Sequence, residues 1–207
     1  MYAACKRVLD YFSALAGIVI LGPLLAVVAI AIKLDSKGSV FYLGERVGRR
    51  NRKFKIIKFR TMRPNAEILG TTTSQNDPRI TGIGDFLRKS KIDELPQLFN
   101  ILRGDMSLVG PRPEVEEHTR EYSDEEKLIL TVPPGITDYS SIHFFNLGDV
   151  LGAENAHEMY LTKYRDEKNQ LRLKYVRNRS FVEDLRILML TFRTIALALL
   201  RRSGGKG

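Results

Sequence analysis

Tryptophan is absent from this chain, and its 207 residues hold one cysteine, Cys5, and three histidines. A single thiol excludes an internal disulfide and a cysteine-rich zinc site, and it fits a reducing cytosolic compartment. His118, His143 and His157 are far apart and form no H-E-x-x-H pattern. Acidic charge is in deficit: 33 Lys and Arg face 24 Asp and Glu, a formal charge of +9. Such an excess implies an anionic partner, whether nucleic acid, acidic lipid or phosphorylated substrate. Tyrosine and phenylalanine are scattered, so no aromatic ladder for stacking bases stands out, and nucleic acid is not the expected partner. Internal repeats and low-complexity tracts are missing, apart from a short Gly/basic tail from Arg201 to Gly207. The length suits one domain with a real core, or one domain plus a membrane element.

What is present begins with an uncharged apolar run, Tyr11 to Ile32, interrupted by Gly22-Pro23. A signal peptide shares its basic start, Lys6-Arg7, but the run is long for one and lacks a small-residue cleavage site before Lys33. A single transmembrane helix is long enough. Two facts favour a hairpin that enters and leaves on one side. Pro23 cannot donate to the Val19 carbonyl, so a kink belongs there, leaving arms of roughly 16 Å, half of a ~30 Å hydrocarbon core. Both flanks are basic, with Lys37, Arg46, Arg49, Arg50 and Arg52 following Lys33, and a simple span cannot keep both on the cytoplasmic side. Pro-kinked spanning helices exist, so the span stays open as an alternative.

Further along, Ser39 to Leu43 and Phe54 to Phe59 read as two short strands of a hairpin joined by a Gly- and Arg-rich connection. Pro64 to Asp77 reads as a loop. Ser90-Lys91-Ile92-Asp93 fits a capping box for a helix to about Leu102, with Leu95, Leu98, Phe99 and Leu102 on one face and Asp93, Gln97 and Asn100 opposite. Ser123-Asp124-Glu125-Glu126 starts another helix, stopped by Pro133-Pro134-Gly135. A long charged helix is expected from Glu154 to Tyr175. The last, about Ser180 to Leu200, is apolar almost all round, with Arg186 and Arg193 on one face, and fits a buried core helix or an interfacial one.

The chemistry points to Asp93-Glu94, adjacent carboxylates inside a polybasic, Pro-punctuated stretch running from Asp77-Pro78-Arg79 to Gly110-Pro111-Arg112-Pro113. Cations hold phosphoryl oxygens, and one acid is left to attack or to bind a metal. The bland reading is equally concrete. A carboxylate in a capping box needs no catalytic role, Glu94 would be a solvated acid, and Arg88 and Lys89 would be surface charges or snorkelling anchors. Against it, Lys58, Arg60, Arg88 and Arg112 come from separate segments that could converge, and Pro111 and Pro113 hold Arg112 on a stiff backbone suited to a forked phosphate contact.

At Lys58-Phe59-Arg60-Thr61-Met62, Asp77-Pro78-Arg79-Ile80-Thr81, Asp93-Glu94-Leu95-Pro96-Gln97-Leu98, the string from Gly104 to Pro113, and Pro134-Gly135-Ile136-Thr137, the chain resembles the bacterial sugar transferases, the monotopic phosphoglycosyl transferases, in their short form. The likeness covers nearly the whole chain, in order. It implies a mainly helical α/β fold: a re-entrant broken helix over residues 1–34, a catalytic domain over 35–201 with a small β-hairpin and a C-terminal interfacial amphipathic helix, and a tail over 202–207. It implies transfer of a sugar-1-phosphate from a UDP-sugar to polyprenyl phosphate, usually undecaprenyl phosphate, with release of UMP, as a first membrane step of glycoconjugate assembly. Asp93 matches the position that forms a covalent aspartyl-phosphosugar and stands near Mg2+. Glu94 matches the one that assists in deprotonating or positioning the acceptor phosphate. Lys58, Arg60, Arg88, Pro111, Arg112 and Pro113 match substrate-binding positions. The implied setting is the cytoplasmic face of a bacterial inner membrane, with a homo-oligomer as one possibility.

Four places depart from the family pattern: Gly22-Pro23 where Ser-Pro is common, Asp138 to Phe145 after Gly-Ile-Thr, Gly44, and Arg172. A different class of function also accounts for the charge and the apolar run, a membrane-anchored adaptor whose basic surface binds anionic lipid or nucleic acid. A single-span protein with a periplasmic domain is a third.

Overall fold

The computed structural model describes residues 2–63, 77–145 and 163–204. A run of Ala, Leu, Ile and Val with almost no polar side chains gives one long helix, α1 (Tyr2–Asp35), and Pro23 lies inside it. The expected break at Gly22-Pro23 therefore sits within a continuous element. An internal proline costs a helix roughly 3 kcal/mol, so something must hold the turns on both sides of it. Packing does so. Ala14, Ile18 and Leu21 meet Leu98, Ile101 and Met106, while Leu25, Val28, Ala29 and Ile32 meet Phe59 and Leu87. These residues recur every three or four positions and form one stripe. The other side, including Val8, Leu9, Phe12, Val19, Ile20, Val27 and Ile30, is apolar and exposed.

Polar contacts fix the first turns of α1. Lys6 Nζ and the Tyr2 hydroxyl both donate to Asp184 Oδ2, at 2.9 and 2.8 Å. Buried Asp10 accepts from Ser107 Oγ at 2.6 Å and from the Leu108 amide at 3.1 Å. Arg7 Nη1 donates to the Met106 carbonyl at 2.9 Å.

The hairpin is present. β1 (Phe41–Val47) pairs antiparallel with β2 (Lys53–Phe59), Phe41 opposite Phe59 and Val47 opposite Lys53. β1 runs further than the β-branched residues alone suggest, taking in Gly44 to Val47 from the expected connection. Arg50 and Asn51 close the turn with φ of 57° and 60°. The outer edge of β2 is met by Asn100, whose Oδ1 accepts from the Ile57 amide at 2.9 Å and whose Nδ2 donates to the Lys55 carbonyl at 2.8 Å.

The helix expected from Ser90 is two elements instead. α2 (Gly82–Ser90) is N-capped by Thr81, whose Oγ1 accepts from the Gly84 amide at 3.1 Å. Lys91 then takes a left-handed conformation, φ 60°, and ends it. A single 3₁₀ turn, Ile92–Glu94, leads through Leu95-Pro96 to α3 (Gln97–Arg103). Ser90 Oγ donates back to the Phe86 carbonyl, so the capping box does not form there. One does form at Ser123: its Oγ accepts from the Glu126 amide while Glu126 Oε2 accepts from the Ser123 amide, at 3.2 and 2.8 Å. It opens a 3₁₀ segment, Glu126–Thr131, rather than an α-helix.

A second sheet was not foreseen. β3 (Ser107–Val109) and β4 (Gly135–Thr137) pair in parallel, Ser107 opposite Gly135 and Val109 opposite Thr137. The chains meet where both lack side chains, because a Cβ on Gly135 would lie 2.1 Å from the Gly110 nitrogen. Between the strands runs α4 (Glu116–Arg120), and after β4 comes α5 (Tyr139–His143). α6 (Arg165–Asn178) covers the C-terminal part of the expected charged helix. Residues 154–162 of that expected helix, and nearly all of the expected loop from Pro64, lie outside the described residues. α7 (Phe181–Gly204) buries Ile187 against Val109, Val132, Tyr175 and Val176 and exposes Val182, Leu185, Met189 and Phe192.

Candidate active site

The short turn between α2 and α3 sets Asp93 and Glu94 in opposite electrostatic situations. Asp93 is 8% exposed, and its Oδ1 is buried with no hydrogen-bond partner among the described residues. Burial first, and the charge of Glu94 second, raise its pKa to about 6. Glu94 is partly buried, which works to raise its pKa, but Arg112 and Lys58 outweigh that and hold the carboxyl well below the usual range. Arg112 grips it with a fork: Nη1 to Oε2 at 2.9 Å and Nη2 to Oε1. Lys58 Nζ adds a bond to Oε1 at 3.0 Å. Adjacent carboxylates pushed apart in this way are how a site assigns different tasks to like groups.

Arg112 is aimed by its backbone. Pro111 and Pro113 fix φ on either side, and the Pro111 carbonyl accepts from the Gly135 amide at 3.0 Å, continuing the β3–β4 ladder. The Arg112 amide donates to Asp138 Oδ2 at 3.3 Å. Asp138 is fully buried and N-caps α5, with its Oδ1 accepting from the Ser141 amide at 2.7 Å and from Ser140 Oγ at 2.8 Å. The departure from the family pattern after Gly-Ile-Thr is thus a cap that also steadies the arginine. Arg172, another departure, is buried with its Nη2 on Glu114 and its Nη1 on Asn169, and so is matched within the chain.

Of the other cations expected at the site, Arg88 lies close enough to Asp93 for their charges to act on one another, and its Nη1 is buried without a hydrogen-bond partner among the described residues. Arg60 is placed differently. Its Nη1 donates to the Lys37 carbonyl at 2.6 Å and its Nη2 to the Ser36 carbonyl at 2.8 Å, so it fastens the chain leaving α1. The structure therefore joins Lys58, Glu94 and Arg112 directly, sets Asp93 and Arg88 beside them, and directs Arg60 to a different task.

A cavity of about 240 Å³ opens over Glu94 and Arg112. Leu98, Ile136, Phe145 and Ile195 form apolar walls, and Lys91 and Lys168 add cations. Burial lowers the Lys168 pKa to about 8, against the opposing pull of Glu114. Among the described residues no three His, Cys, Asp or Glu side chains cluster as a ready metal cage. Asp93 Oδ1, without a partner among the described residues, is the kind of hard oxygen donor that a divalent ion takes.

A model of the bacterial sugar transferase family matches residues 1–198. The chain belongs to the bacterial sugar transferases.

As a family member it is 48% identical over 125 residues to a Bacillus subtilis protein named as a putative undecaprenyl-phosphate N-acetylgalactosaminyl 1-phosphate transferase, covering 60% of this chain and 70% of that one. It is 37% identical to the UDP-N-acetylgalactosamine-undecaprenyl-phosphate N-acetylgalactosaminephosphotransferase of Aeromonas hydrophila, over 94% of this chain and 44% of that protein. It is 34% identical to the exopolysaccharide production protein ExoY of Sinorhizobium fredii, over 93% and 86% respectively. The chain spans less than half the length of the Aeromonas hydrophila protein and of several further curated relatives. Sequence reasoning did not single out Lys168 in this bacterial sugar transferase, and it marked Asp138 and Ser140 only as part of the departing segment Asp138 to Phe145. Lys168 and Arg172 four residues apart on a charged helix were the available signal, because such a pair shares one face.

Proposed function

We propose that this chain transfers a sugar-1-phosphate from a UDP-sugar to polyprenyl phosphate, of the undecaprenyl type, at a membrane surface, as a first membrane step of glycoconjugate assembly. The observation that carries the reading is the split pair: a buried Asp93 with a bare oxygen, next to a Glu94 locked ionised by Arg112 and Lys58. An Asp93 oxygen attacks the β-phosphorus of the donor. The bond from that phosphorus to the bridging oxygen breaks, and UMP leaves with the electron pair. An oxygen of the acceptor phosphate then attacks the same phosphorus, the bond to Asp93 breaks, and the carboxylate is restored as polyprenyl-diphosphate-sugar departs.

The raised pKa makes the Asp93 carboxylate a stronger nucleophile than an ordinary aspartate. Glu94, held well below the normal range, is a poor proton acceptor, so its part is to orient Arg112 and Lys58 toward phosphoryl oxygens. Arg88 supplies a further donor beside Asp93. Magnesium, with Asp93 as its protein ligand, supplies neutralisation of the diphosphate charge when bound.

The reading includes a monotopic placement. α1 touches the domain from Lys6 to Ile32, which leaves no free stretch of the ~20 residues that a crossing needs. Its outward apolar side and that of α7 face one leaflet, and the catalytic domain stays on the cytoplasmic face. The test of the chemistry is to incubate the protein with candidate UDP-sugars and magnesium but no lipid acceptor. UMP release and a mass gain of one phosphosugar, both lost in Asp93→Asn, are expected. An adduct that persists in that variant overturns the reading.

A further inference from the structure

A groove of about 760 Å³, which shares no lining residue with the cavity over Glu94 and Arg112, lies between the first turns of α1, the β1–β2 turn, the end of α3 and the α6–α7 junction. Arg50, Arg52, Arg103 and Arg179 line it from three separate segments. None of these four side chains has a hydrogen-bond or ion-pair partner among the described residues. Some surface arginines elsewhere are matched, Arg177 with Glu125 and Arg120 with Glu116, while Arg63 and Arg193 are single cations unmatched among the described residues; only the groove gathers several. Of the two acids in the groove wall, Asp10 is turned inward to Ser107 and Leu108, and the Asp105 carboxylate is reached by Asn100. Arg50 is presented by a left-handed backbone, φ 57° and ψ 38°, a conformation that side chains other than Gly, Asn and Asp rarely take.

The groove also has a definite setting. Tyr2, in its wall, packs edge-on against Phe181 at 5.0 Å. Phe181 opens the exposed apolar face of α7 (Val182, Leu185), and Val8 and Leu9 are exposed on the first turns of α1. Unmatched guanidinium groups in a concavity at the rim of an apolar surface meet the two requirements of a lipid headgroup: phosphate at the arginines, acyl chains against the apolar rim.

We infer that this groove is a second, non-catalytic site that takes the phosphate of an anionic phospholipid headgroup. It does not depend on the phosphotransfer reading. The test uses the full chain in a non-ionic detergent, titrated with soluble dihexanoyl phosphatidylglycerol or dihexanoyl phosphatidylcholine, with bound lipid counted by native mass spectrometry. Phosphatidylglycerol is expected to bind and phosphatidylcholine not. The variant Arg50→Gln/Arg103→Gln/Arg179→Gln should lose about tenfold or more in affinity, because each cation near an anionic headgroup contributes on the order of 1 kcal/mol. Its melting temperature and its UMP release in detergent should be unchanged. Arg120→Gln/Lys127→Gln/Arg177→Gln, which removes the same charge outside the groove, should bind like the native chain. Equal loss in both variants, no loss in the groove variant, or displacement of the lipid by equimolar inorganic pyrophosphate would each overturn the assignment.

Discussion

Arg112 bonds both carboxylate oxygens of Glu94, while Asp93, one residue earlier, keeps a buried oxygen with no partner among the described residues. The same peptide unit thus carries a satisfied acid and an unsatisfied one. That difference sets the expectations for substitution at each.

Arg112→Lys keeps the positive charge and loses the fork. Lysine meets Glu94 as a point charge and cannot span two oxygens. Turnover, followed as UMP release, should fall about 10- to 100-fold with the melting temperature nearly kept. Native turnover in this variant would show that the fork is dispensable.

The pKa of Asp93, raised to about 6, gives a pH dependence of known sign. The nucleophile is the carboxylate, so the rate of adduct formation should drop about tenfold per pH unit below pH 6 and level off above it. A rate that instead rises as pH falls through this range is incompatible with the assignment.

Stability should run in the opposite direction. A folded pKa above the unfolded value means that Asp93 contributes most below pH 4, and that this contribution is lost as pH rises through about 6. Asp93→Asn should therefore be more stable than the native chain at pH 8, by on the order of 1–3 kcal/mol, and no more stable at pH 4. Denaturant melts in detergent at the two pH values check this. Gain of stability with loss of activity is the mark of a strained functional group.

Asp138→Ala removes the cap of α5 and the acceptor for the Arg112 amide together. A loss of about 1–2 kcal/mol in stability is expected from the cap. The KM for the donor should also rise, because Arg112 loses its backbone anchor. A purely structural Asp138 would change melting alone.

The placement of α1 predicts that Cys5, which is exposed, and a Lys37→Cys introduced near the other end react with an impermeant thiol reagent from the same side of a sealed membrane. Labelling from opposite sides would mean that the helix crosses. Ile20→Asp and Val27→Asp, on the exposed face, should weaken membrane retention without lowering the melting temperature in detergent.

The sequence made the paired carboxylates, Arg112 and Lys58 legible because motif order and charge spacing are local properties. The hairpin and α7 were legible for the same reason, through β-branched runs and apolar content. Three things were not. The Ser90 capping box was read from a residue pattern that Lys91 ends with a left-handed turn, a backbone choice that the pattern does not record. The parallel β3–β4 pair depends on residues 28 apart meeting where Gly110 and Gly135 lack side chains, which no local periodicity signals. At Pro23 the proline rule is local and speaks only of the lost bond, whereas the contacts that hold α1 on both sides of it come from Leu98, Ile101, Phe59 and Leu87.

α1 meets α7 at Lys6, β3 at Asp10, α3 at Ala14 and β2 with α2 at Ile32. An apolar N-terminal helix invites deletion by anyone seeking a water-soluble version for crystallisation or assay. Here deletion would strip the lining from two of the molecule's core clusters at once. A soluble form is better sought by recolouring the outward stripe with polar residues than by cutting the helix away.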